Sequence, residues 1–129
     1  MFAHVSLGVS NIKRSLAFYD PVMATLGYDR LFGAEEEEFM AYGPEDSFFI
    51  INRPLEEERG EPQATNGTHI CLKAPSKEAV DEFHKSALEQ GGTSNGEPGI
   101  RPQYNATYYA AFILDPDGHK IEALFHLES

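Results

Sequence analysis

Residues 4–28 read "HVSLGVSNIKRSLAFYDPVMATLGY" and residues 69–92 read "HICLKAPSKEAVDEFHKSALEQGG". An offset of 65 residues carries His4 to His69, Leu7 to Leu72, Phe18 to Phe83 and Gly27 to Gly92. Each stretch opens with alternating residues, the period of a strand with one face on a core. In the first, Val5, Leu7 and Val9 share one face and Phe2, His4 and Ser6 the other. In the second, Thr68, Ile70 and Leu72 oppose Gly67, His69 and Cys71. A helical period follows each strand. Ser10 or Asn11 can cap the first helix, whose apolar residues are Ile12, Leu16, Tyr19 and Met23. Ser76 caps the second, with Val80, Phe83, Ala87 and Leu88 inward. Gly27 and the pair Gly91 and Gly92 end the helices. Pro21, inside the first helical pattern, predicts a kink or a break.

Working outward, each helix is followed by short strands. The first half offers 30–35, 38–43 and 47–52, with "YGPEDS" (42–47) as a turn. The second offers a weak strand near 100–102, then "YYAAFIL" (108–114) and, after "DPDGH" (115–119), "KIEALFHL" (120–127). Each half therefore reads βαβββ. The expectation is one domain over 1–129, with modules at about 1–54 and 67–129 joined by an acidic loop. Two Pro/Gly-rich connections, "RPLEEERGEPQATNG" (53–67) and "GTSNGEPGIRPQYNAT" (92–107), are long enough to carry function. The Glu35–Glu38 run reads as a solvated hairpin edge that discourages edge pairing.

The 129 residues, 41% hydrophobic and 24% charged, suit a folded domain with a real core. A net charge of -11 repels nucleic acid and anionic membrane surfaces. No stretch approaches the ~20 apolar residues of a membrane span. A lone cysteine, Cys71, forms no internal disulfide, which predicts a cytoplasmic protein.

The candidate chemistry lies on strand faces. On the last strand Lys120, Glu122, Leu124 and His126 oppose Ile121, Ala123, Phe125 and Leu127. If three strands line one curved sheet, His4, His69 and Glu122 converge on its concave side. Two imidazoles and a carboxylate suit a divalent metal (Zn, Ni, Fe, Mn or Co) and leave positions open for substrate. A half-buried histidine without a ligand role is the bland alternative, and a salt bridge from Glu122 to Arg101 or Lys120 would satisfy that carboxylate. Glu122, His126 and Tyr109 are candidate catalytic residues. Arg101, Tyr104 and Cys71 are candidate substrate contacts. Of the adjacent tyrosines 108 and 109, Tyr109 is taken as the one facing the pocket. Cys71 otherwise reads as a small core residue, and His119 as part of a turn.

The two repeated stretches, together with "YYAAFILDPDGHKIEALFH" (108–126), resemble the vicinal oxygen chelate superfamily. That superfamily holds glyoxalase I, extradiol dioxygenases, fosfomycin-resistance thiol transferases and bleomycin-binding proteins. The resemblance implies an α+β fold. Its two βαβββ modules form an open, barrel-like mixed sheet with helices outside. It carries the metal ligands onto His4, His69 and Glu122. Glyoxalase I-like enzymes add a ligand from the last strand of the first module, where this chain offers Ile50, Ile51 or Asn52 and no carboxylate. Relatives commonly form homodimers, some with shared sites. The implied function is metal-dependent lyase or isomerase chemistry on a small molecule with neighbouring oxygens. Ring-cleaving dioxygenase activity and metal-free drug or metabolite binding are the alternatives.

Overall fold

The computed structural model describes residues 1–60 and 65–128, so residues 61–64 of the inter-module loop and Ser129 lie outside the described residues. The first module is β1 (His4–Gly8), α1 (Ile12–Ala24), β2 (Arg30–Ala34), β3 (Phe39–Tyr42) and β4 (Phe48–Asn52). The second is β5 (His69–Lys73), α2 (Lys77–Glu89), β6 (Thr93–Ile100), β7 (Tyr108–Leu114) and β8 (Lys120–His126). Both fold alike, into four-stranded sheets ordered β1-β4-β3-β2 and β5-β8-β7-β6. In each, the first strand runs parallel to the last and the other pairs are antiparallel. The α+β class and the two βαβββ modules are as the sequence implies. The strands form two separate mixed sheets and no closed barrel among the described residues.

Local chemistry explains the helices. Asn11 accepts the amide of Arg14 and Ser76 that of Ala79, so each N-terminus satisfies one otherwise unpartnered N–H. Gly27 (φ 83°) and Gly91 (φ 99°) take the left-handed conformation that follows a helix, where a β-carbon would be strained. Pro21 does not break α1, for the helix continues to Ala24. The proline sits in its last turn and withdraws only the hydrogen bond to the carbonyl of Ala17, an exposed residue.

One core joins the modules. Phe18, Tyr19, Val22 and Met23 of α1 meet Val80, Phe83 and Ala87 of α2 within a single apolar cluster. Each large side chain withdrawn from water stabilises by about 1.5–3 kcal/mol. Leu88, expected inside, is 43% exposed, and His84 takes a buried place on α2 instead. Phe18 lies so close to Gly92 that a β-carbon there would meet its ring at 2.7 Å.

The "DPDGH" turn latches the modules from the polar side. Asp115 accepts the amides of Asp117 and His119 and the buried hydroxyl of Tyr19 (2.5 Å). Asp117 accepts the Ser10 hydroxyl (2.6 Å) and pairs with Arg14 (3.1 Å). His119 Nε2 donates to the Gly8 carbonyl (2.7 Å). Its turn role thus includes a tether to β1.

One further expectation changes, while the Glu35–Glu37 run keeps its solvated place at the β2–β3 hairpin. The weak strand near 100–102 is instead β6, eight residues ending at Ile100. Its register slips between Ser94 and Gly96 and again between Gly96 and Gly99, so the glycines that read as loop mark bulges in a strand. The Glu35–Glu37 run forms a 3-10 turn, and Glu38 pairs with Arg53 and Arg59.

Candidate active site

The outer face of the second sheet holds the chemistry. Strand pairing sets Cys71 of β5 beside Glu122 of β8, and Glu122 beside Phe112 of β7. Glu122 is only 2% exposed, and a buried carboxylate must find partners. Its Oε1 lies 3.0 Å from His69 Nε2, and its Oε2 accepts the Tyr108 hydroxyl at 2.5 Å. Neither Arg101 nor Lys120, the salt-bridge partners considered from sequence, is what satisfies it. Tyr108 in turn carries Tyr104 (centroids 4.9 Å apart) on one side and His126, edge-on at 5.5 Å, on the other. His126 Nδ1 is 3.2 Å from the Thr107 hydroxyl and shares the face of Glu122 without reaching it.

Tyr108 therefore replaces Tyr109 as the tyrosine of this face. Side chains alternate along β7, so neighbours point oppositely. The Tyr109 hydroxyl bonds to Asp81 of α2, and Lys77 lies 4.8 Å over its ring. Sequence reasoning needed only the register Tyr108 to His126 to choose correctly, since His126 shares a face with Glu122.

Burial, then the hydrogen bond to Glu122, holds the Tyr108 phenol above its ordinary range, so it remains a proton donor to the carboxylate. Cys71 is exposed rather than a core residue. Enough protein nonetheless crowds its thiol that desolvation, then the Glu122 carboxylate, pushes it up to about 12. It is a neutral thiol near pH 7 and a poor nucleophile.

Arg101 and Lys120 flank the Phe112 ring, at 5.5 and 4.9 Å, and His69 meets the same ring at 6.0 Å. Arg101 is held in place by the carbonyls of Gly99 (2.8 Å) and Glu97 (2.7 Å).

His4 lies on the first sheet, exposed and stacked on Phe48 at 5.1 Å. It shares with His69 and Cys71 the lining of a cleft of about 600 Å³ between β1 and β5. Among the described residues no three His, Cys, Asp or Glu side chains come together closely enough to hold a metal ion. Within one chain the structure thus brings His69 to Glu122 and leaves His4 apart. The pair fits two donors of a divalent ion, since an imidazole nitrogen already faces a buried carboxylate. A third donor has to come from elsewhere.

The repeat identifies the counterpart of Glu122. His4 and His69 are equivalent, so Ser6, two residues on, matches Cys71. Ser6 pairs with Ile50 as Cys71 pairs with Glu122. Ile50 therefore stands where a fourth, carboxylate ligand would be.

Comparison with known proteins agrees with this architecture. A family model described as the Glyoxalase/Bleomycin resistance protein/Dioxygenase superfamily matches residues 1–123. The chain belongs to this superfamily. Among curated superfamily relatives, lactoylglutathione lyase of Escherichia coli is 32% identical over 127 residues, covering 94% of this chain and 89% of that protein. The enzyme of the same name from Salmonella typhimurium matches equally, at 32% identity and the same coverage. A solved glyoxalase/bleomycin resistance protein from Albidiferax ferrireducens superposes with a TM-score of 0.85. It is 33% identical, with 96% of this chain and 98% of that chain covered. As a glyoxalase-superfamily member the chain shares lyase-named relatives, while the superfamily also contains proteins that are not enzymes.

Proposed function

We propose that this protein is a metal-dependent lyase or isomerase of the glyoxalase superfamily, acting as a homodimer in the cytoplasm on a small molecule with two neighbouring oxygens. The observation that carries the proposal is the His69–Glu122 pair at 3.0 Å, on a sheet face open to solvent, with its equivalent, His4, exposed on the other module. His69 and Glu122 of one chain, with His4 of a second copy, form the donor set. The lyase-named relatives favour this chemistry over ring cleavage and over metal-free binding. No helix among the described residues is long and apolar enough to cross a membrane, and the lone Cys71 suits a reducing compartment.

A divalent ion held there would polarise the two substrate oxygens as a Lewis acid. The chain's own groups do the rest. Glu122 is the group placed to accept a proton at a carboxylate oxygen and return it. Tyr108 positions that carboxylate by donating to Oε2 and can give way to substrate. Phe112 shields one flank from water. Arg101 and Tyr104 border the face where substrate enters, and His126 sits beyond Tyr108 at its edge.

Subunit mixing tests the shared site. His4→Ala and Glu122→Gln proteins are each purified, then unfolded and refolded together, and metal content and turnover of a glutathione–methylglyoxal adduct are measured. A shared site predicts that each mixed dimer carries one intact and one doubly damaged site, so metal and activity return. If the mixture stays as empty and inactive as either parent, the shared site is refuted. Wild-type protein that takes up no divalent ion refutes the metalloenzyme.

A further inference from the structure

The two modules share one strand order but differ in the chemistry of their solvent-facing sheets. Register makes Phe48 the counterpart of Lys120, since Phe48 pairs with His4 as Lys120 pairs with His69. Ile50 is the counterpart of Glu122 by the same logic. At these two register positions the second module carries charge and the first a hydrocarbon.

The first sheet adds a row of rings. His4 stacks on Phe48 at 5.1 Å, Phe48 meets Phe32 edge-on at 5.3 Å, and Phe32 meets Phe39 at 6.1 Å. The row crosses all four strands. Phe32 reaches Phe48 diagonally past Ala41, a small residue that stands between Phe32 and Ile50 in the register. Phe32 is 48% exposed, so the row presents aromatic surface to solvent rather than filling a core.

The second sheet holds the opposite feature. In a chain of net charge -11, Arg101 and Lys120 pair with no carboxylate among the described residues. Both are instead held against the Phe112 ring, beside His69 and Glu122. Two cations with no carboxylate partner among the described residues, next to a buried acid, suit an anionic group of a ligand.

We infer that the substrate is an anion bearing an aromatic group next to its two neighbouring oxygens. The ring lies on the Phe32–Phe48 row, and the anionic end lies at Arg101 and Lys120. This rests on the shared-site proposal, because the ring row of one copy must face the charged sheet of another. Phe32 is therefore a specificity residue for the aromatic group, and Lys120 for the charge.

The test uses three probes on the nickel-loaded full chain by titration calorimetry. They are mandelate, lactate (the same hydroxy acid with methyl in place of phenyl) and mandelamide (the ring without the charge). Wild type should bind mandelate roughly ten-fold or more tighter than lactate, the worth of burying a phenyl ring in place of a methyl. Phe32→Ala should shrink that preference to about three-fold or less and leave lactate unchanged. Lys120→Met and, independently, Arg101→Gln should weaken mandelate about five-fold and spare mandelamide. Sedimentation of each variant reports the oligomer. Equal binding of mandelate and lactate by wild type, or no binding of either, overturns the inference. So does a Phe32→Ala protein that becomes monomeric while keeping the mandelate preference, for the rings would then be a subunit contact only. Subunit mixing that fails overturns the inference together with the shared site, whereas mixing that succeeds without the probe preferences overturns the inference alone.

Discussion

Asp115 is the most informative single perturbation of the frame that carries the site. Its side chain is 4% exposed in sum with its residue, and it accepts three hydrogen bonds, from Asp117 N (2.9 Å), His119 N (2.8 Å) and the Tyr19 hydroxyl (2.5 Å). Tyr19 is wholly buried in α1 of the first module, while Asp115 opens the turn into β8 of the second. Asp115→Ala strands a phenol in the core and two amides in the turn. Hydrogen bonds to a charged group are worth about 1.5–3 kcal/mol each, and they are not additive. With partial relaxation of the turn and entry of water, the expected loss is about 3–5 kcal/mol. Tyr19→Phe should cost about 1–2 kcal/mol, because Asp115 keeps its two amides. Urea denaturation followed by circular dichroism measures both, and the double variant closes the cycle. The coupling should be about 1–2 kcal/mol. A loss below about 1 kcal/mol for Asp115→Ala, or no coupling to Tyr19, would show that the latch does not join the modules.

Three further outcomes are expected. Burial lowers the pKa of His84, so the folded protein binds fewer protons than the unfolded chain below its ordinary value of about 6.5. That contribution is complete above pH ~6.5 and lost as pH falls through the lowered value, and His84→Asn should flatten the dependence in denaturation midpoints taken between pH 5 and 7.5. Gly92→Ala should cost about 2 kcal/mol or more in the same assay, since the added β-carbon would meet Phe18 at 2.7 Å and the Leu114 carbonyl at 2.8 Å. Tyr108→Phe should weaken nickel binding about ten- to hundred-fold by freeing Glu122 Oε2, whereas Tyr109→Phe should leave it unchanged; equal effects would contradict the assigned faces.

The modules were readable because each signal was local. Alternation along β1 and β5 placed both histidines opposite the apolar faces, and Asn11 and Ser76 marked the helix starts by their capping chemistry. β6 was obscured because Gly96, Pro98 and Gly99 have turn-like preferences, which cross-strand bonds to β7 override. Leu88 fits the apolar period of α2, eight residues after Val80, yet it lies at the edge of the stripe and the packing leaves it exposed. Tyr108 and Tyr109 are adjacent in an apolar run, so either could face the site until β7 is paired to β8. The inter-module contacts of Asp115, Asp117 and His119 bridge about a hundred residues, and nothing in the pentapeptide names its partners.

Periodicity, capping and repetition are properties of neighbouring residues, so the order of amino acids alone settled the α+β class, the duplicated module and the candidacy of His4, His69 and Glu122. Which groups touch is a property of register and packing. Folding alone showed that His69 meets Glu122, that Tyr108 holds the second carboxylate oxygen, and that His4 stands apart on a row of phenyl rings. The physical reason is range: a strand's pattern tells a side chain which face to occupy, but only hydrogen bonds between distant strands decide what waits for it there.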